Sequence, residues 1–333
     1  MAYERLSARA ASLLRRESPR SPLHAGSLAL FDGSPFLDEH GRFRLDDVRE
    51  HVAARLHRSP ALRRRVQPVP FGQGRPVWVD DATFDLTYHV RLTALPRPGR
   101  EEQLHALMAR LQALPLDRRR PLWELWFVDG LQGDRVAVVQ KTHLAMAEEL
   151  GAVGALDAVL DEQPFVSAPE VPAWTAHKAP NNAALLARTL AERATRPKEM
   201  VRTARAAVRG PRRALAAAGR RWRATVKIGH LRYEIVRADQ PSGTDVGAVV
   251  RSLDPSVAIT FEHLEGPRFF LGARLLEVFP SAPRAGAALV VSVLSYDGRL
   301  GIGLTGDRVT NGELRGLADG LGRAFGGLRV AAS

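Results

Sequence analysis

The chain has 333 residues, a formal net charge of +12 and no cysteine. That length allows two domains and a well-buried core. The lack of cysteine excludes disulfides, thiolate nucleophiles and cysteine metal sites. The charge calls for an anionic partner: nucleic acid, a membrane surface or an acidic cofactor such as coenzyme A. Lysine occurs only at Lys141, Lys178, Lys198 and Lys227, so arginine carries nearly all of it. No apolar run reaches the roughly 18 residues of a transmembrane helix. The N-terminal stretch MAYERLSARAASLLRRESPRSP lacks the apolar core of a secretory signal. A cytoplasmic location is expected.

In chain order, SLALFDG (27–33) reads as a strand. LDDVREHVAARLHRSPALRRRV (45–66) reads as a helix interrupted at Ser59-Pro60, because apolar residues recur at Leu45, Val48, Val52 and Leu56. FGQGRPVWVDD (71–81) reads as turn and strand, and EEQLHALMARLQAL (101–114) as an amphipathic helix. LWELWFVDGL (122–131) and RVAVVQKTHL (135–144) read as strands joined by a QGD turn, with a helix over AVGALDAVLDE behind them. Residues 163–182 have linker composition. The stretch 183–232 is rich in arginine, with Glu192 and Glu199 its only acids, and Gly210-Pro211 divides it into two helices. VAITFEHL (257–264), FFLGARLLEVFP (269–280) and ALVVSVLSYDGRLGIGLTG (288–306) read as strands of a C-terminal sheet, with a hairpin turn at Asp297-Gly298. A helix over NGELRGLADGLGRAFGGL closes the chain, with Asn311 as N-cap and Glu313 in its first turn. The order is mixed α/β (α+β).

Several ordered stretches resemble the bacterial wax ester synthase/diacylglycerol acyltransferase family, within the coenzyme A-dependent acyltransferases of the chloramphenicol acetyltransferase type. They are LSARAASLLRRESPRSPLHAGSLALFDG, PLDRRRPLWELWFVDGLQGDRVAVVQKTHLAM (115–146), GPRFFLGARLLEVFP (266–280) and LVVSVLSYDGRLGIGLTGDR (289–308). The resemblance implies a two-domain fold with an abbreviated C-terminal domain. It divides the chain into 1–162, an N-terminal acyltransferase domain; 163–255, a linker and basic helical connector; and 256–333, a shortened C-terminal sheet domain. It implies acyl-CoA as cosubstrate, diacylglycerol or a long-chain alcohol as acceptor, and no permanently bound cofactor.

The family's active motif is His-His-x-x-x-Asp-Gly; here it reads His143-Leu144-Ala145-Met146-Ala147-Glu148-Glu149. By analogy the second histidine is the general base, and that position is Leu144. Glu148 stands for the structural aspartate and Glu149 for the glycine. His143 is the remaining catalytic candidate, with Leu144, Glu148 and Glu149 as structural parts of the site. On an extended strand residues 143 and 144 point to opposite faces. The resemblance assigns Pro121, Leu122 and Trp123, with His263, Gly266 and Pro267, to substrate binding.

Bland readings stand beside these. A single histidine at a strand end more often packs or hydrogen-bonds than catalyses, His24 supports the loop, and Glu148-Glu149 fit the acidic start of a helix. No histidine–carboxylate grouping has metal-ligand spacing, so no metal is expected. Two functions remain open. One is an O-acyltransferase of triacylglycerol or wax ester synthesis with impaired catalysis. The other is a non-catalytic relative that binds acyl-CoA, lipid or a partner protein at a membrane surface. The arginine-rich stretch 183–232 suits an anionic membrane or lipid-inclusion surface. Nucleic acid is not expected, since Trp222 alone interleaves the arginines.

Overall fold

The computed structural model describes residues 3–18, 22–150, 154–166, 174–194, 231–239, 258–282, 289–307 and 314–331. In order the elements are β1 (Tyr3–Arg5), α1 (Ala8–Arg16), β2 (His24–Asp32), α2 (Leu45–Arg55), β3 (Arg64–Gln67), β4 (Val77–Asp80), α3 (Leu86–His89), β5 (Val90–Ala94), α4 (Glu101–Ala113), β6 (Trp123–Leu131), β7 (Arg135–His143), α5 (Leu144–Leu150), α6 (Asn182–Ala194), β8 (Leu231–Asp239), β9 (Ala258–Leu264), β10 (Phe269–Phe270), β11 (Ala273–Ser281), β12 (Leu289–Tyr296), β13 (Arg299–Asp307) and α7 (Leu314–Ala331).

A six-stranded mixed sheet of order β10-β11-β2-β7-β6-β5 forms the centre. Both faces are covered, which is why its strands read as nearly continuous apolar runs. On β7, Val136 and Val138 join Phe31, Phe36, Val48, Phe127 and Phe270 in one cluster. Ala137 and Val139 face the other way, towards Leu104, Met108 and Leu111 of α4. A four-stranded sheet, β8-β13-β12-β9, packs on α7 through Val236, Val293, Leu300, Ile302, Leu304, Leu314 and Ala318. A small sheet, β1-β4-β3, carries α6 through Val77, Val79 and Leu185.

Four local expectations change. The run 45–66 is helical only as far as Arg55; short 3-10 turns and β3 follow, because Pro60 cannot continue the helix. The helix expected over AVGALDAVLDE is a single 3-10 turn at Asp157–Val159, and the helix forms earlier, over LAMAEEL. FFLGARLLEVFP does not join the C-terminal sheet: β11 pairs antiparallel with β2, from Leu275↔Phe31 to Ser281↔Gly26. Within the stretch 163–255, β8 is a strand paired to β13. The second of the two expected arginine-rich helices, the Gly210-Pro211 break, Asn311 and Glu313 lie outside the described residues. The hairpin at Asp297-Gly298 is present, with φ of 48° and 73°.

The two larger sheets meet through backbone. A Cβ at Gly301 would lie 1.8 Å from the Val278 carbonyl oxygen, and one at Gly303 1.9 Å from that of Pro280. Alternation on β13 therefore gives one face with Gly301, Gly303 and Thr305 against β11, where Thr305 Oγ1 lies 3.0 Å from Ser281 Oγ, and one apolar face against α7. The Tyr233 hydroxyl donates to the Phe279 carbonyl oxygen at 3.0 Å and fastens β8 to the same strand.

Candidate active site

Strand β7 ends at His143, where α5 begins. Alternation carries Lys141 and His143 to the α4 side of the sheet, and Gln140 and Thr142 to the opposite side. The antiparallel register places His143 across from His24, their rings 6.0 Å apart. Both imidazoles are buried.

Between and beside them lies the carboxylate of Glu17, just after α1, its side chain only 5% exposed. His24 Nε2 is 3.1 Å and His143 Nε2 3.4 Å from its oxygens. Neither completes a well-directed hydrogen bond, so the attraction is mainly electrostatic. Arg118 donates from Nη2 at 2.7 Å and from Nε at 3.2 Å, and the Leu23 N–H donates at 3.2 Å. Burial alone would raise the Glu17 carboxyl. Its contacts with His143, His24 and Arg118 outweigh that and hold it well below the usual carboxylate range. Burial pushes His24 down, against the pull of Glu17.

The second ring nitrogen of His143 is also engaged. Its Nδ1 accepts the Ala145 N–H at 2.9 Å, the contact of a helix N-cap with the second residue of α5. The proton of the neutral ring therefore sits on Nε2, facing Glu17. Strand and helix are pinned here by the His143 N–H donating to the Leu122 carbonyl at 3.0 Å and the Leu144 N–H to the Leu23 carbonyl at 2.8 Å. Two residues earlier, Lys141 Nζ donates to the carbonyls of Leu111, at 2.9 Å, and Leu114, at the end of α4. It caps that helix, where a cation favours the dipole. Burial lowers its pKa to about 8, with Glu124 opposing.

Leu144 is half-buried at the first position of α5. Glu148 and Glu149 lie near that helix's end rather than at its start, since the helix begins at Leu144; their side chains lie outside the described residues. Pro121, Leu122 and Trp123 are buried beside the junction. The Trp123 indole N–H donates to the Leu62 carbonyl at 2.8 Å, and the ring stacks on His89 at 4.5 Å. His263, Gly266 and Pro267 are exposed, on β9 and the turn after it. The structure thus gathers Leu122, His143 and Leu144 at one junction and leaves the 263–267 group on another strand end. Sequence reasoning missed Glu17 and Arg118. The only signal was their place inside two family-like segments, Glu17 in the opening one and Arg118 in 115–146. Among the described residues no group of histidines and acids could hold a metal ion.

Residues 6–232 match the wax ester synthase/diacylglycerol acyltransferase catalytic domain, and residues 180–329 match the C-terminal domain of the same family. The chain belongs to this family. A probable diacylglycerol O-acyltransferase of Mycobacterium tuberculosis is 37% identical over 206 residues, which is 62% of this chain and 74% of that protein. Another probable diacylglycerol O-acyltransferase of the same organism is 41% identical over 140 residues, 42% of this chain but 29% of its own length. The solved wax ester synthase/diacylglycerol acyltransferase from Marinobacter aquaeolei VT8 superposes with a TM-score of 0.65 at 19% identity, covering 99% of both chains. A starter condensation domain of rhizomide synthetase, in a "product-released" conformation, gives 0.51 at 10% identity over 92% of this chain and 89% of its own. These two likenesses bear on the fold, which is the mixed α/β fold of coenzyme A-dependent acyltransferases. Within that fold, His143 and Leu144 stand where β7 ends and α5 begins.

Proposed function

We propose that this family member is an O-acyltransferase-like protein of triacylglycerol or wax ester synthesis, acting on acyl-CoA and diacylglycerol or a long-chain alcohol, with impaired catalysis. The observation that carries the reading is the match to the catalytic domain across residues 6–232, joined to 37% identity over 206 residues with a probable diacylglycerol O-acyltransferase. Transfer from a thioester to a hydroxyl needs a neutral imidazole within reach of that hydroxyl, donors for the tetrahedral oxyanion, and alignment of both substrates. His143 is poorly suited to be that base: Nδ1 caps α5 and Nε2 faces Glu17. Its role is to hold the junction. Pro121, Leu122 and Trp123 would serve substrate binding by fixing β6 behind the junction, and His263, Gly266 and Pro267 by lining an entrance. The proposed units remain 1–162, 163–255 and 256–333, with β11 reaching from the last into the sheet of the first.

The second reading, a non-catalytic relative that binds acyl-CoA, lipid or a partner, is favoured by Leu144 and by the double engagement of His143. Labelled acyl-CoA supplied with diacylglycerol or hexadecanol separates the two. Turnover into ester identifies an enzyme. Saturable acyl-CoA binding with no ester above background leaves the binding protein. Attachment of the stretch 183–232 to an anionic lipid surface is part of the same proposal. No described helix is long and apolar enough to cross a membrane. Flotation with anionic vesicles that fails with neutral ones supports the attachment, and equal behaviour with both removes it.

A further inference from the structure

Three buried polar atoms share one face of the core and have no hydrogen-bond partner among the described residues. They are the Ser27 hydroxyl, Gln140 Oε1 and the Ser292 hydroxyl. All three residues are fully buried. A buried polar atom left unanswered costs stability and calls for a reason. Ser27 alternates with Ala29 and Phe31 on β2, Gln140 with Val136 and Val138 on β7, and Ser292 with Leu294 and Tyr296 on β12. Those apolar neighbours all belong to one cluster, so the three polar residues adjoin the same side of the core.

The register joins them in a line. Gln140 faces Ser27, and Ser27 faces Pro280 of β11. Ser292 faces Gly303, where an added Cβ would lie 1.9 Å from the Pro280 carbonyl oxygen. The line thus passes from the central sheet to the second sheet, and every side chain in it is uncharged. Gln140 Nε2 donates to the Thr142 hydroxyl, which leaves Oε1 to accept. Thr142 comes two residues before Leu144, the position that the family resemblance gives to the general base.

Two hydroxyls that can donate and one amide oxygen that can accept make a specific set. Diacylglycerol carries the complement, two ester carbonyls and one hydroxyl, joined to an apolar body. A long-chain alcohol has a single oxygen and cannot answer all three groups, and polar groups left unpaired disfavour it. A carboxylate or phosphate would meet no cation in this line.

We infer that Ser27, Gln140 and Ser292 hold the glycerol head of a diacylglycerol acceptor and make this chain prefer it to a long-chain alcohol. The line is closed to solvent, so the head would enter by parting the two sheets at this end. The inference rests on the acyl-transfer reading for the use of the acceptor, and its test reads binding alone.

Calorimetric titration of the full chain with 1,2-dihexanoylglycerol and with dodecan-1-ol, matched in chain carbons, tests it. The expected result is saturable dihexanoylglycerol binding, about tenfold tighter than the alcohol. Ser27→Ala and Ser292→Ala each delete one unanswered hydroxyl. Each should raise the melting temperature without ligand and cut the preference by about fivefold. Gln140→Met should cut it likewise. No saturable dihexanoylglycerol binding, or equal affinity for the alcohol, overturns the inference. So does a preference that survives the substitutions. A preference lost together with a fall in melting temperature also overturns it, because the hydroxyls would then be structural. Ester formation from labelled acyl-CoA without this preference overturns the present inference alone; the preference without ester formation leaves it standing and counts against the enzyme.

Discussion

Glu17 lies between His24 Nε2 and His143 Nε2 under two donors from Arg118, so its charge is matched only while the fold is intact. The depressed carboxyl sets the sign of the pH effect. A carboxylate held below its unfolded value of 4.5 stabilises fully above that pH, and the benefit is lost as pH falls through the folded value. Glu17→Gln should therefore cost about 2 kcal/mol at pH 7. The gap between parent and variant should begin to narrow below about pH 4.5 and keep narrowing to pH 2, read by urea unfolding at stepped pH. Lys141 has the opposite sense. Burial lowers it from 10.5 to about 8, so between these values the unfolded chain binds the extra proton and stability rises with pH. The slope approaches about 1.4 kcal/mol per pH unit. Lys141→Met should remove that alkaline rise in denaturant melts at pH 8 to 10, while losing the cap on α4. A gap that persists unchanged to pH 2, or an alkaline rise that remains in Lys141→Met, would show that these groups do not carry the charge effects.

At the scale of elements, β6, β7, α4 and the Asp297-Gly298 hairpin were legible because periodicity and turn chemistry are local properties. Partnership was not. FFLGARLLEVFP has a strand's composition wherever it pairs, and nothing within it says that its neighbour is β2, more than two hundred residues earlier. Glu17 was hidden for the same reason: an acid after an arginine-rich helix reads as solvated until the fold brings His24 and His143 to it. The glycines of LGIGL were read as part of a strand, but their function shows only when the facing backbone is known. Gly301→Ala should destabilise the protein by about 3 kcal/mol, since its methyl would meet a carbonyl oxygen that cannot move aside. Gly316→Ala on α7, where a Cβ has open space, should instead stabilise by roughly 0.5 kcal/mol. Thermal melts of the pair distinguish a steric requirement at the sheet junction from a general sensitivity of glycine positions.

At the scale of the whole molecule, the family frame is present: a central sheet that borrows β11, a second sheet packed on α7, and a β7–α5 junction pinned on its α4 side by Glu17, His24, His143 and Lys141. Those side chains hold the junction together without any group at position 144. If Leu144 stands where the family carries its second histidine, as proposed, restoring that base has a definite expected outcome. Position 144 begins α5, is half-buried, and has its backbone N–H fixed to Leu23. General-base catalysis contributes on the order of 10²–10⁴ in rate. If the base is the missing group, Leu144→His should raise ester formation from labelled acyl-CoA and hexadecanol at least a hundredfold over the parent. The gain should titrate with an apparent pKa near that of imidazole. If acyl-CoA still binds and the variant forms no more ester than the parent, the loss extends beyond one side chain, to Glu149 or to the closure of the two sheets around substrate. The non-catalytic reading then replaces the first.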